Sequence, residues 1–436
     1  MSDEQRQLTQ ILKRIIIAAS AGSVIEWYDF YISGTAAALI WPHIFFSPKL
    51  ATSLKLALSV STFSVVYFSR PIGAALFGNF GDKLGRKSML IWTLLTMGLG
   101  TLGIGLLPSY SQIGFASTIL LFVLRWLQGM GLGGEWGGSS TWIVEFTASE
   151  TLKGRRGFWT GLLQSTAGIG SSLAALTFFL LFTLLPNSFY GFGWRIAYYL
   201  GAFVAVVGVV IRYKFDESPM FLTLKNIKAL ISEPLSMLFK EQWRKILVLS
   251  LSTVFIVGVI STDILPYSEN LMIAEKIDSK FAVLSVAIGW ATGALIAVIS
   301  ATLSDNFGRK RVMLVGALMT LISIYPFFFL IKSGSLLLSI VAEMLLNGSY
   351  YITWGVVAAA FSEQFPTKYR YSGVALAYQF SSLIAALPLT LISPLVIAKF
   401  GVTGAWAYLG IQGEIFAVIS LIAILFIKET MGKKLE

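Results

Sequence analysis

Apolar runs of helix-spanning length recur along this chain, separated by shorter polar stretches. They begin near Ile15, Leu54, Met89, Gly114, Gly157, Arg195, Ile246, Phe281, Val312, Leu336, Ser372 and Ala405. At a rise of 1.5 Å per residue, ~20 apolar residues cross a hydrocarbon core as one helix, so the pattern predicts about twelve membrane-spanning helices and an all-α fold. The polar connections alternate in character. One set carries Lys83/Arg86/Lys87, Lys153/Arg155/Arg156, Lys225/Lys228/Lys240/Arg244/Lys245, Arg309/Lys310/Arg311, Lys368/Arg370 and Lys428/Lys433/Lys434. The other set (residues 42–53, 108–113, 186–194, 269–280, 332–334 and 399–404) is short and nearly free of arginine. Basic loops stay in the cytoplasm, so both termini are expected there, with the chain integral to the inner or plasma membrane. The polar opening MSDEQRQLTQILKR has no small-residue cleavage site and reads as a retained cytoplasmic end.

The one long polar connection lies between the sixth and seventh runs. It suggests two six-helix bundles, residues 1–214 and 244–436, joined by a cytoplasmic loop at 215–243. The middle of that loop, with Phe221, Leu222, Leu224, Ile227, Leu230 and Ile231 among lysines, suits an interfacial helix or a mobile linker. Composition agrees with the pattern: 56% of residues are hydrophobic and 13% charged, about half the charge of a water-soluble domain. The net charge of +11 comes from the short basic clusters just named, and no nucleic-acid partner is needed to explain it. The chain has no cysteine, and it has no two-His metal pattern, P-loop or nucleophile elbow. No cofactor, metal, enzymatic activity or nucleotide-driven step is therefore expected, and a monomer is assumed.

Chemistry enters with Gly22–Gly34, GSVIEWYDFYISG, inside the first apolar run. Glu26 and Asp29 are three residues apart and share a helix face, with Trp27, Tyr28 and Tyr31 around them. Acids at this depth face a cavity or a partner, which marks a polar path and a transporter. Arg70 lies on the second run before Pro71, and Arg125 and Glu135 lie on the fourth. Arg125 and Asp29 fall at similar mid-depth; Glu26, Glu135 and Arg70 lie nearer the cytoplasm. Three acids against two bases leave a formal charge of −1, and a buried carboxylate without a compensating cation takes up a proton. Asp29, opposed by Arg125, is the first candidate for proton coupling, with Glu26 and Glu135 as competitors. A purely structural ion-pair network is the alternative. Arg70 could grip a substrate carboxylate bidentately or pair with Glu26 or Glu135. Gln128 and Gln164, and in the second half Asp263, Tyr267, Tyr350, Tyr351, Trp354, Tyr378 and Gln379, are further candidate substrate contacts. Most membrane aromatics are nonetheless packing or belt residues. Glu343, near the outer end of its helix, is expected to meet water.

The halves repeat. GNFGDKLGRK at Gly78–Lys87 has a counterpart in SATLSDNFGRK at Ser300–Lys310, and Glu145 with Arg155/Arg156 is echoed by Glu363 with Arg370. Two such halves are a transporter architecture with the substrate site between them. This doubled G-x-x-x-D-x-x-G-R-K resembles the signature loop of the major facilitator superfamily. EWYDF (Glu26–Phe30), SRPIGAALFG (Ser69–Gly78), LRWLQGMGLGGEWGG (Leu124–Gly138), WRIAYYLG, DESPMF and EQFPTKYRYSG resemble its metabolite:proton symporter branch. That branch includes carriers of shikimate, 2-oxoglutarate, citrate, and proline or betaine. DESPMF, EQFPTKYR and the terminal KETMGKKLE are also shared with sugar porters. The resemblance implies alternating access, with Gly78, Asp82, Arg86, Glu145 and Arg155 or Arg156 latching the cytoplasmic side. Asp305, Arg309, Glu363 and Arg370 would form the second latch, and in related sugar porters the matching Asp and Arg are the coupling pair. The expectation is proton-coupled symport of a small organic acid or related metabolite. A sugar or polyol porter, an uncoupled facilitator and a non-transporting nutrient sensor are the rivals.

Overall fold

The apolar runs become long helices, and glycines set where several of them stop. In the computed structural model, which describes residues 3–148, 153–256 and 265–435, no β-strand occurs among the described residues. The first half consists of α1 (Asp3–Leu39), α2 (Thr52–Leu84), α3 (Arg86–Leu106), α4 (Phe115–Phe146), α5 (Arg156–Leu184) and α6 (Trp194–Tyr213). The second half consists of α7 (Pro234–Val254), α8 (Leu265–Ala274), α9 (Ser279–Phe307), α10 (Arg309–Lys332), α11 (Leu336–Ser362), α12 (Arg370–Ser381), α13 (Leu387–Phe400) and α14 (Val402–Leu425). A π turn at Ser382–Ala386 joins α12 to α13, so the two make one span.

Among the described residues, 11 helices are long and apolar enough to cross a membrane. The seventh run differs. Its helix α7 starts at Pro234, ahead of the run itself, and carries the polar Lys240, Glu241 and Arg244 in its first turns. The described structure continues with α8 from Leu265, and Asp263 lies outside the described residues. Pro71 does not break α2, which is one helix across it. The surface is inverted relative to a protein in water: Leu99, Phe203 and Leu395 are more than 60% exposed, whereas Glu26, Asp29 and Arg125 are completely buried. Only hydrocarbon suits that arrangement.

The packing repeats as the sequence does. In the first half α4 packs on α2 and α3, α1 on α5, and α3 on α6. In the second half α11 packs on α9 and α10, α7 on α12, and α10 on α14. Between halves α5 lies along α9, and its counterpart is α12 along α2. Small residues make both crossings. A Cβ at Gly168 of α5 would sit 2.3 Å from the Trp290 carbonyl oxygen, and one at Gly78 of α2 would sit 2.8 Å from Ser372 Cα. Such contact without side chains is how helices associate where lipid removes the hydrophobic drive.

The turn between α2 and α3 is Gly85, at φ +120°, and that between α9 and α10 is Gly308, at φ +97°. Both conformations disfavour a side chain. A Cβ on either would also strike a carboxylate: Glu217 at 2.2 Å and Glu429 at 2.6 Å. The long connection holds one short helix, Pro219–Asn226, capped by Ser218. Phe221 is buried beneath it with the Arg86 guanidinium 5.0 Å from its ring, while Leu222 and Ile227 are exposed. The start of the connection is therefore docked on the bundle.

Candidate functional site

Six charged side chains meet inside the first half, one more than the run-by-run inventory found. The sixth is Arg212, near the end of α6 and fully buried. It forms an ion pair with Glu135 through both carboxylate oxygens, one of the bonds being Nη1–Oε2 at 2.7 Å. Thr93 and Ser139 donate to the same carboxylate at 2.8 and 3.0 Å. Arg212 spends its remaining donors on the carbonyls of Leu90, Ala18 and Ala19. Gly22 makes room for it, since a Cβ there would stand 2.0 Å from Arg212 Nη2. With Arg212 counted, three acids face three bases, and the formal charge is zero rather than −1.

Asp29 and Arg125 form no direct ion pair; Gln128 stands between them. Arg125 Nη1 donates to Gln128 Oε1 at 2.7 Å, and Gln128 Nε2 donates to Asp29 at 2.8 Å. Thr101 supplies Asp29 with a second bond at 2.6 Å. The Arg125 cation rests over Phe63 and Trp41.

Glu26 and Arg70 are the opposite case. Their closest atoms are 3.9 Å apart, both residues are buried, and neither Glu26 oxygen has a hydrogen-bond partner. Arg70 Nε and Nη2 are equally without one, although the guanidinium stacks over Phe30 at 4.9 Å. Tyr378, within the electrostatic reach of both, has a hydroxyl without a hydrogen bond.

Tyr378, which interacts with Glu26 and Arg70, belongs to a cage of aromatic rings drawn from both halves. Trp27, Trp290, Tyr350, Tyr351, Trp354 and Tyr378, with Ala167 and Ile256, line a void of about 10 Å³. Trp136 stacks on Trp354 and lies 4.2 Å from Tyr378, while Tyr31 meets Trp290 at 4.6 Å. Gln164 ties the halves together: it accepts from Trp136 Nε1 at 2.8 Å and donates to the Trp354 carbonyl at 2.6 Å. Gln379 donates weakly to the Leu132 and Gly133 carbonyls and leaves Oε1 without a partner.

Two candidates lie elsewhere. Tyr28 turns to α6, donating to the Ala197 carbonyl at 3.0 Å, and Tyr267 bonds the Val402 carbonyl beside Phe328. Glu343 is fully buried rather than water-exposed.

At the basic end, the two repeat loops bind across the halves. Asp82 accepts from the Tyr371 and Ser372 amides at 3.2 and 3.0 Å, at the start of α12. Asp305 accepts from the Gly157 and Phe158 amides at 2.8 and 3.0 Å, at the start of α5. A carboxylate on a helix N-terminus is a favourable charge–dipole contact. Glu145 takes Arg86 from its own half and Arg370 from the other, each at 3.1 Å. Glu363 takes Arg309 from its own half at 3.2 Å and Arg156 from the other at 2.7 Å. Arg155 is exposed and Arg156 is the partner, because α5 begins at Arg156 and turns that side chain inward.

A strap after each half completes this end. Glu217 accepts from the Arg86 and Lys87 amides, and Ser218 donates to Glu145. Glu429 accepts from the Arg309 and Lys310 amides, and Thr430 donates to Glu363. The paired Glu-Ser and Glu-Thr after the sixth and twelfth runs were visible in sequence, as was the lone arginine in VVIRYK. Their partners were not.

The geometry can be set beside known proteins. Residues 20–388 match the family model described as Major Facilitator Superfamily. An inner membrane metabolite transport protein, YhjE, of Escherichia coli K12 is 33% identical over 99% of this chain and 98% of its own length. The shikimate transporter of the same strain is 31% identical (96% and 95% covered), and its proline/betaine transporter is also 31% identical (98% and 85%). A structure of the proton:xylose symporter XylE bound to 6-bromo-6-deoxy-D-glucose superposes with a TM-score of 0.78 at 19% identity, covering 98% of both chains. That likeness concerns the fold.

Proposed function

The chain belongs to the major facilitator superfamily and is an integral membrane transporter, and from that premise we propose proton-coupled symport of a small carboxylate-bearing metabolite. The observation that carries this reading is the loose Glu26–Arg70 pair beside the inter-half aromatic cage. Buried charged atoms without hydrogen bonds are costly, and a ligand that supplies the bonds recovers that cost. A substrate carboxylate on Arg70 Nε and Nη2 makes a bidentate, charge-assisted contact. It also draws Arg70 away from Glu26, whose carboxylate then has no counter-charge and takes up a proton. Substrate and proton thereby load together.

Asp29, the first candidate on sequence alone, already has the Thr101 and Gln128 donors, which favours Glu26 as the coupling acid. Glu135 is held by Arg212 and acts as structure. The basic end faces the cytoplasm, and residues 1–214 and 234–436 are the moving bodies, linked by 215–233 rather than 215–243 because α7 is one helix from Pro234. Asp82, Arg86, Glu145, Arg156, Asp305, Arg309, Glu363 and Arg370 close that end, and the close approach at Gly78 must open when they part.

One observation favours a zwitterion over a plain acid. The cage is lined by the rings of Trp27, Trp354 and Tyr378, of which Tyr378 interacts electrostatically with Arg70, and aromatic faces hold ammonium groups.

The test is reconstitution in liposomes, adding organic acids, zwitterions and sugars singly while following external pH. Substrate-dependent external alkalinisation that Glu26→Gln abolishes is expected. Uptake without proton movement would overturn coupling. Coupling that survives Glu26→Gln but not Asp29→Asn would return the role to Asp29.

A further inference from the structure

The second half buries an acid that the scheme above does not use. Glu343 of α11 is fully buried; Ser268 of α8 donates to one oxygen at 2.6 Å and Asn347 Nδ2 to the other at 3.2 Å. No arginine or lysine pairs with it among the described residues. Among the described residues, the charged group on a packed element that acts on it is Glu269 of α8, a second acid. On α9, Gly289 closes the cluster, since a Cβ there would stand 2.7 Å from Asn347 Nδ2 and 2.9 Å from Glu343 Cβ. The Asn347 amide holds the carboxylate through its nitrogen, and its buried Oδ1 has no hydrogen-bond partner. A buried carboxylate with neutral donors only, facing another acid and an unused amide oxygen, lacks one positive charge.

Its position adds a role. Glu343, Asn347, Tyr350 and Trp354 recur at helical spacing along one face of α11. Glu343 lies about 10 Å from the arginine-poor end of the helix and about 16 Å from Trp354 in the cage. We propose that Glu343, Asn347 and Ser268 form a second cation site, taking a proton or a sodium ion, between the arginine-poor end and the aromatic cage. The carboxylate supplies the charge, and Asn347 Oδ1 and the Ser268 hydroxyl oxygen supply neutral ligation. This site does not depend on the Glu26–Arg70 scheme.

Difference infrared spectroscopy of the full chain in liposomes tests it without knowledge of the substrate. For a proton site, a pH jump in choline chloride shows a protonated-carboxyl band that Glu343→Gln removes and Glu26→Gln retains. For a sodium site, replacing choline by sodium shifts a carboxylate band in the wild type and in Glu26→Gln, but not in Glu343→Gln. Wild-type and Glu343→Gln spectra that coincide in both salts would overturn the proposal. If Glu343→Gln does not assemble, Asn347→Ala decides: it keeps the carboxylate and must shift the same band, and an unshifted band counts against the site.

Discussion

Two ion pairs in the first half share chemistry and burial but differ in completeness. Glu135–Arg212 is closed: both oxygens are occupied, and the guanidinium also holds carbonyls of α1 and α3. Glu26–Arg70 is open, at 3.9 Å with hydrogen-bonding atoms unused on both sides. Burial alone therefore does not mark a working residue. A buried pair whose bonds are all made inside the protein stabilises the bundle, whereas one whose bonds are unmade offers them to something that arrives.

The largest effect is expected at the closed pair. Arg212→Ala strands Glu135 and should cost about 3–5 kcal/mol, read as a lowered thermal midpoint and poor yield in detergent. The double replacement Glu26→Gln with Arg70→Met should leave the midpoint equal or higher, because it removes two poorly bonded charges, yet abolish transport. A destabilised double mutant would erase the distinction between the pairs.

Arg70→Lys sharpens it. A lysine keeps the charge and loses the fork, so KM for the substrate should rise about 10- to 100-fold with thermal stability retained. An unchanged KM would place substrate recognition elsewhere.

At the basic end the comparison is between copies of one loop. Asp82→Asn weakens the bonds to the Tyr371 and Ser372 amides, by roughly 1–2 kcal/mol. Because the chain has no cysteine, Ala167→Cys in the cage can be labelled cleanly from the basic side. Its labelling rate should rise about tenfold with Asp82→Asn or Arg156→Ala, and stay unchanged with exposed Arg155→Ala.

The smallest effect concerns the straps. Burial is the largest influence on both glutamates: it prevails at half-buried Glu217 and pushes it up, past the pull of the Ser218 amide and Arg86. At exposed Glu429 the amides of Met431, Arg309, Lys310 and Thr430 outweigh burial and hold it down. A docked Glu217 thus binds a proton more tightly than a free one, and a docked Glu429 less tightly. Lowering the pH through the range just above 4.5 should strengthen docking of the first strap, and lowering it further below 4.5 should weaken the second. Hydrogen exchange corrected for intrinsic rate should show opposite shifts, each about threefold or less, and the first should vanish in Glu217→Gln.

The sequence by itself determined the membrane class, the helices and the two-half repeat. These follow from local quantities: run length, the placement of arginine, and a motif written twice. Spacing along one helix also sufficed to put Glu26 and Asp29 on a common face. Pairing was another matter. Glu135 meets Arg212 across α4 and α6, Arg156 rather than Arg155 reaches Glu363, and Gln128 separates Asp29 from Arg125. Each outcome depends on the rotation of helices distant in the chain, set by close contacts such as Gly22 against Arg212 and Gly168 against Trp290. Tyr28 and Tyr31 lie on one helix, yet one turns to α6 and the other to the cage, and Glu343 is covered by α8 and α9. Partner choice inside a membrane bundle is a packing result, because every buried charge must take whichever donors the neighbouring helices bring within reach.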